Sequence, residues 1–144
     1  MTQDELLKTL SERGAFIAPP VSAGQINLTN LNLQRLHVAI LPPFMTEMYK
    51  QCGGINIGSG YIFGPSEFTI GNKHPVPDIF EVNQELTNIP NLRGKTVFGR
   101  NDLFWFAFDS FGKCAMLDNI GLNTLRKYDD PYRAMFECLI GGKI

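Results

Sequence analysis

His37 and His74 are the only histidines in the chain, and Cys52, Cys114 and Cys138 the only cysteines. Neither histidine belongs to a pattern with metal-ligand spacing, so no metal and no cofactor is expected. A cysteine nucleophile needs a base held beside it. Cys52 could meet His37 only through the fold, and it falls on the apolar side of a helical pattern, where a core thiol is the simpler reading. Asp129-Asp130 offers paired carboxylates, but Pro131 makes Asp130 a helix cap. No serine sits in a nucleophile-elbow pattern. Gly58-x-Gly60 matches the first half of a dinucleotide fingerprint, yet its third position falls at Phe63 and no helix follows directly. The two glycines therefore read as turn residues. These observations assign no catalytic residue.

One feature of the charged residues bears on binding. From Gln51 to Leu92 the acids are Glu67, Asp78, Glu81 and Glu85, against Lys73 alone. On a helix, Asp78, Glu81 and Glu85 share one face at spacings of three and four. A solvated face is the ordinary explanation. The sharper one is an acidic docking stripe for a basic partner, where complementary charge speeds encounter and sets specificity. Glu67, Asp78, Glu81 and Glu85 are thus the candidate partner-binding residues. Trp105, the single tryptophan, could anchor an interface. Its strand is apolar on both faces, which favours core packing.

Chain length and composition bound what can position these groups. At 144 residues, 44% apolar and 19% charged, the chain predicts one globular domain over 1–144. A net charge of −1 lacks the basic footprint of a nucleic-acid binder. No apolar run approaches the ~20 residues a membrane helix needs. The polar, acidic start lacks a secretory signal, and three scattered cysteines make a poor disulfide framework. A cytoplasmic protein is expected.

The spacing predicts a helix after a Thr2-x-x-Glu5 capping box, stopped at Gly14. A second helix is predicted over roughly the second half of 22–41, ending before Pro42. A third follows Pro42-Pro43, with Phe44, Met45, Met48, Tyr49 and Cys52 on one face and Gly53 or Gly54 as its left-handed stop. Short strands are predicted at 61–63 and 68–70, and a helix at 78–86 with Ile79, Val82 and Leu86 inward. The strongest β signal is a meander over 96–118: Thr96–Phe98, a turn at 99–102, Leu103–Phe108, a turn at 109–112, then Lys113–Leu117. Asp130-Pro131 opens a last helix that Gly141-Gly142 would stop. The fold class is α+β, a central mostly antiparallel sheet flanked by helices.

The segment Leu41-Pro42-Pro43-Phe44-Met45-Thr46-Glu47-Met48-Tyr49-Lys50-Gln51-Cys52-Gly53-Gly54 resembles the "LPxxYxxF…NGG" helix of the SUKH superfamily. That group comprises bacterial toxin-immunity proteins and fungal cell-wall-regulator relatives. Val97–Asp109 resembles its central strand pair, Phe111–Asp118 the next strand, and the segment from Asp130 its last helix. The resemblance covers most of the chain from about residue 25. Cys52 stands where the family usually has Asn, and the helix tyrosine is displaced to Tyr49. The family brings no catalytic residues to transfer. The resemblance implies an immunity protein that binds the toxic C-terminal domain of a cognate polymorphic toxin and blocks it by stoichiometric occlusion. The alternatives are a regulatory adaptor, as in the fungal relatives, and a small enzyme built on Cys52 and His37.

Overall fold

Thr2 opens the first helix by accepting the Glu5 amide at 3.1 Å. The Glu5 carboxylate accepts a hydrogen bond from the Thr2 hydroxyl rather than from the Thr2 amide, so the predicted box is half made. The computed structural model describes residues 1–71 and 74–141. Helix α1 (Gln3–Glu12) buries Leu6 and Leu10, and Gly14 at φ 82° follows it. Strand β1 is Phe16–Ile17.

Helix α2 spans Ala23–Arg35, so it fills the first half of 22–41 and not the predicted second half. The Ser22 hydroxyl caps the Gln25 amide at 3.2 Å, an N-cap signal outweighed in the sequence by the nearness of Pro42. His37 at φ 61° ends it: the His37 and Val38 amides return to the Gln34 and Leu33 carbonyls, a closure glycine usually makes. Asn30 then accepts the Leu41 amide and steers the chain toward Pro42.

Helix α3 (Pro43–Gln51) buries Met45, Met48 and Tyr49. It ends where Cys52 turns to extended backbone, not at a left-handed glycine. Gly54 has another duty, since a Cβ there would meet the Phe68 ring at 2.3 Å.

Strands β2 (Ile55–Ile57) and β3 (Gly60–Ile62) form a hairpin. Strands β4 (Phe68–Ile70) and β5 (His74–Val76) form a separate one. Helix α4 (Ile79–Glu85) and a 3-10 turn at Pro90–Leu92 precede the meander. It comprises β6 (Thr96–Arg100), β7 (Trp105–Phe108), β8 (Cys114–Leu117) and an unpredicted β9 (Thr124–Tyr128). Helix α5 (Pro131–Ile140) follows. Its cap Gly141 is right-handed, and Gly142 lies outside the described residues.

Among the described residues the main sheet runs β1-β2-β3-β6-β7-β8-β9, every neighbour antiparallel. This is the α+β fold the sequence predicted. Residues 99 and 100 belong to β6, and the turn starts at Asn101, whose side chain accepts the Leu103 and Phe104 amides at 2.9 Å. Leu103 is therefore exposed, and the strand predicted at 103–108 starts at Trp105.

The sheet has two unlike faces. On the first, α5 buries Ala134, Met135, Cys138 and Leu139, and the Phe44 ring of α3 meets those of Phe98 and Phe108 edge-on. Helix α5 lies so close that a Cβ at Gly60 would sit 2.7 Å from the Leu139 Cα. Gly60 is thus a close-approach residue within β3, not a turn residue; Gly58, at φ 56°, makes the turn. A bulge at Phe98 places Phe98 and Gly99 together opposite Phe106. The second face carries Tyr61, Arg100 and Trp105 in one cross-strand row. Trp105 packs against the core but stays half-buried, less covered than its strand pattern suggested. No described helix is long and apolar enough to cross a membrane.

Candidate functional site

Helix α4 buries Ile79 and Val82 in the core, and one buried side-chain amide ties it to β6. The β3 backbone leaves β6 after Ile62 and Phe63, which strips Val97 of a strand partner on that side. Asn83 replaces it. Its Oδ1 accepts the Val97 amide and its Nδ2 donates to the Val97 carbonyl, each at 2.8 Å. A second Nδ2 hydrogen returns to the Ile79 carbonyl, so the side chain is almost fully satisfied. This joint sets α4 beside the Tyr61–Arg100–Trp105 row and leaves a cleft of about 340 Å³ between them.

The cleft has aromatic and aliphatic walls with charges at its rim. Phe63, Val76 and Val82 are buried against it. The Arg100 guanidinium lies 4.3 Å from the Trp105 ring centroid, and the indole N–H donates to Asn119 Oδ1 at 3.3 Å. Tyr61 and His74 stack with centroids 6.3 Å apart, their Oη and Nε2 atoms 3.2 Å from each other. Among the described residues, Glu81, Glu85 and Asp102 supply three carboxylates against the guanidinium of Arg100. Among the described residues none of these four forms an ion pair.

The four acidic residues singled out in the sequence are thereby separated. Glu81 and Glu85 line the cleft. Asp78 does not: it is the N-cap of α4, accepting the Glu81 amide at 2.8 Å in a complete capping box. Burial raises its pKa, an effect the amide bonds of the cap partly offset and the Glu81 charge reinforces. Glu67 stands apart, beside Pro19, Ser22 and Phe68 in a shallow hollow. The lone cation of the stretch, Lys73, lies outside the described residues. Tyr61, Arg100 and Asp102 were missed, and His74 was weighed only for catalysis and metal binding. The register Tyr61↔Arg100↔Trp105 unites Tyr61 and Arg100 with Trp105 and exists only once the strands are paired; His74 arrives on the separate β4–β5 hairpin and Asp102 on the turn after β6.

The thiols are arranged for packing. All three cysteines are free and buried. Cys52 lies 3.4 Å from the Met48 sulfur, and burial pushes its pKa up to about 11 despite an opposing bond from Gly54. Cys114 is raised to about 12, again mainly by burial. A thiol so raised is a poor nucleophile at neutral pH. His37 is exposed beyond α2, in a hollow with Arg93 and Lys95. Among the described residues no group of three or more His, Cys, Asp or Glu side chains is placed to hold a metal ion. No protein-family model matches the chain, and no curated protein matches it.

Proposed function

We propose that the chain is an immunity protein of the SUKH kind, acting in the cytoplasm of the cell that makes it. It binds the toxic C-terminal domain of a cognate polymorphic toxin and occludes it stoichiometrically, performing no chemistry itself. The observation that carries the reading is the half-buried Trp105 with Arg100 stacked on it and Tyr61 alongside. Trp, Tyr and Arg are the residues that most often dominate binding energy at protein interfaces. Here they stand on paired strands, so little ordering entropy is lost when a partner docks.

The resemblance of Leu41–Gly54 supports the same reading, and the geometry gives the motif a physical basis. Met48 and Tyr49 are buried, and the Tyr49 hydroxyl donates to the Phe63 carbonyl at 2.6 Å. Phe63 lines the cleft, so the motif helix braces the wall that would meet a partner.

Co-expression with the toxin domain encoded beside this chain is the direct test. Cells should survive, and a one-to-one complex should elute on size exclusion. Trp105→Ala should weaken that complex by about thirtyfold or more, the loss typical of a hot-spot residue. Cell death with no recoverable complex would overturn the reading.

A further inference from the structure

We infer that the cleft beside α4 accepts a cationic side chain, lysine or arginine, presented on a segment of a protein partner. This rests on the binding role proposed above, and it adds which surface is used and what chemistry that surface recognises.

Three features select the occupant. The first is charge: among the described residues, Glu81, Glu85 and Asp102 outnumber Arg100 at the rim, so an incoming cation is attracted and an acidic side chain repelled. The second is the aromatic wall. Arg100 lies 4.3 Å over the Trp105 ring and His74 stacks on Tyr61, so the wall is built of stacked planes that a further guanidinium would extend. The third is size. About 340 Å³ is near the lower end of the usual range for a ligand pocket, roughly 300–1,000 Å³. It admits a long side chain and excludes a folded element, so the flanking backbone of the partner would rest on the rim.

The acidic rim is also pre-set. Glu81 is the N3 residue of the capping box, which holds its backbone and limits its side chain before any partner arrives. Glutamine can occupy the same position of a capping box. The paired change Glu81→Gln and Glu85→Gln therefore removes the two charges while keeping the helix.

Trp105 is the only tryptophan, so its fluorescence reports on the cleft directly. Purified full-length chain is titrated with a tetra-arginine peptide and, separately, with a tetra-glutamate peptide. Tetra-arginine should shift or quench the emission at low salt and lose most of its affinity by ~0.5 M NaCl, where the Debye length has fallen to about 4 Å. The Glu81→Gln/Glu85→Gln variant should bind it about tenfold more weakly, the combined effect of two exposed ion pairs. Glu67→Gln should match the parent within about twofold, as a rim charge far from the contact does. Equal responses to both peptides, or unchanged affinity in the double variant, would overturn the inference. The two readings fail separately. A toxin complex that ignores the double substitution removes the cleft and keeps the immunity role. A cleft that binds tetra-arginine in a chain that forms no toxin complex does the reverse.

Discussion

Phe106 and Trp105 are consecutive residues of one strand, and they face opposite fates. Phe106 points into the face covered by α5 and α3 and retains 1% of its accessible surface. Trp105 points into the face covered only in part by α4 and the β4–β5 hairpin, and it stays half-buried beneath Arg100. The covered face is apolar and, where α5 crosses β3 and β6, close-packed to the point that Gly60 and Gly99 tolerate no Cβ without contact below 3 Å; toward β8 and β9 it opens into a hollow edged by Arg126, Arg133 and Glu137. The other face ends in a cleft with charges at its rim. The sheet therefore divides its labour. One side supplies the burial that stabilises the fold, and the rigidity it confers lets the other side leave a tryptophan and an arginine partly open without disorder.

The largest expected effect tests that division at its centre. Phe106→Ala should cost about 3–5 kcal/mol in urea denaturation, through lost burial and the cavity left behind. Trp105→Ala, despite removing a larger ring, should cost only about 1–2 kcal/mol, because the ring is not fully withdrawn from water. If the two substitutions cost the same, the faces do not differ in the way described.

A smaller effect is expected at the joint between them. Asn83→Ala leaves the Val97 amide and carbonyl without the partners that Asn83 supplies. Each unmade buried bond carries a desolvation penalty, so about 2–4 kcal/mol should be lost, with faster hydrogen exchange at Val97. Loss of the joint should also loosen α4 and blunt any Trp105 response in the cleft. Unchanged exchange at Val97 would mean that α4 is held by something else.

The sequence revealed the covered face far better than the open one. Phe104, Phe106 and Phe108 alternate, and the helix after Asp130 repeats at 3.6, because burial against a continuous core imposes a period. Strand β9 escaped because Thr124, Leu125, Arg126 and Lys127 are all exposed and only Tyr128 is buried, leaving no alternation to detect. Helix α2 was misplaced because Pro42 suggested an end point, whereas Ser22 marked the start and His37 made the closure. The acidic charge of α4 was visible as Glu81 and Glu85, but the aromatic and cationic half of the cleft was not. Tyr61 and Arg100 are 39 positions apart and become neighbours only through the β3–β6 register. Asn83 gave no signal, since a polar residue on a predicted helix reads as solvent-facing until the gap in the neighbouring strand is known.

Asp78 gives the smallest effect and separates two roles that one-dimensional spacing had merged. If it belongs to the cap and not to the docking rim, Asp78→Asn should leave partner affinity unchanged, while Glu81→Gln/Glu85→Gln weakens it. Asparagine caps helices as well as aspartate does, so stability at pH 7 should move by no more than about 0.5 kcal/mol. Its sign follows from linkage. Burial raises the folded pKa of Asp78, so the native state holds this proton more tightly than the unfolded chain does. The stability this contributes is fully present below the unfolded value, about 3.9, and is lost as pH rises through the folded one. At pH 7 the aspartate is charged and bears the desolvation cost together with repulsion from Glu81, and the asparagine does not. The Asn variant should therefore match or slightly exceed the parent at pH 7, and lose that margin near pH 3, where the parent is protonated. Paired urea midpoints at the two pH values read this directly. A margin that grows on acidification would show that the Asp78 charge stabilises the helix through its cap bonds by more than burial costs it.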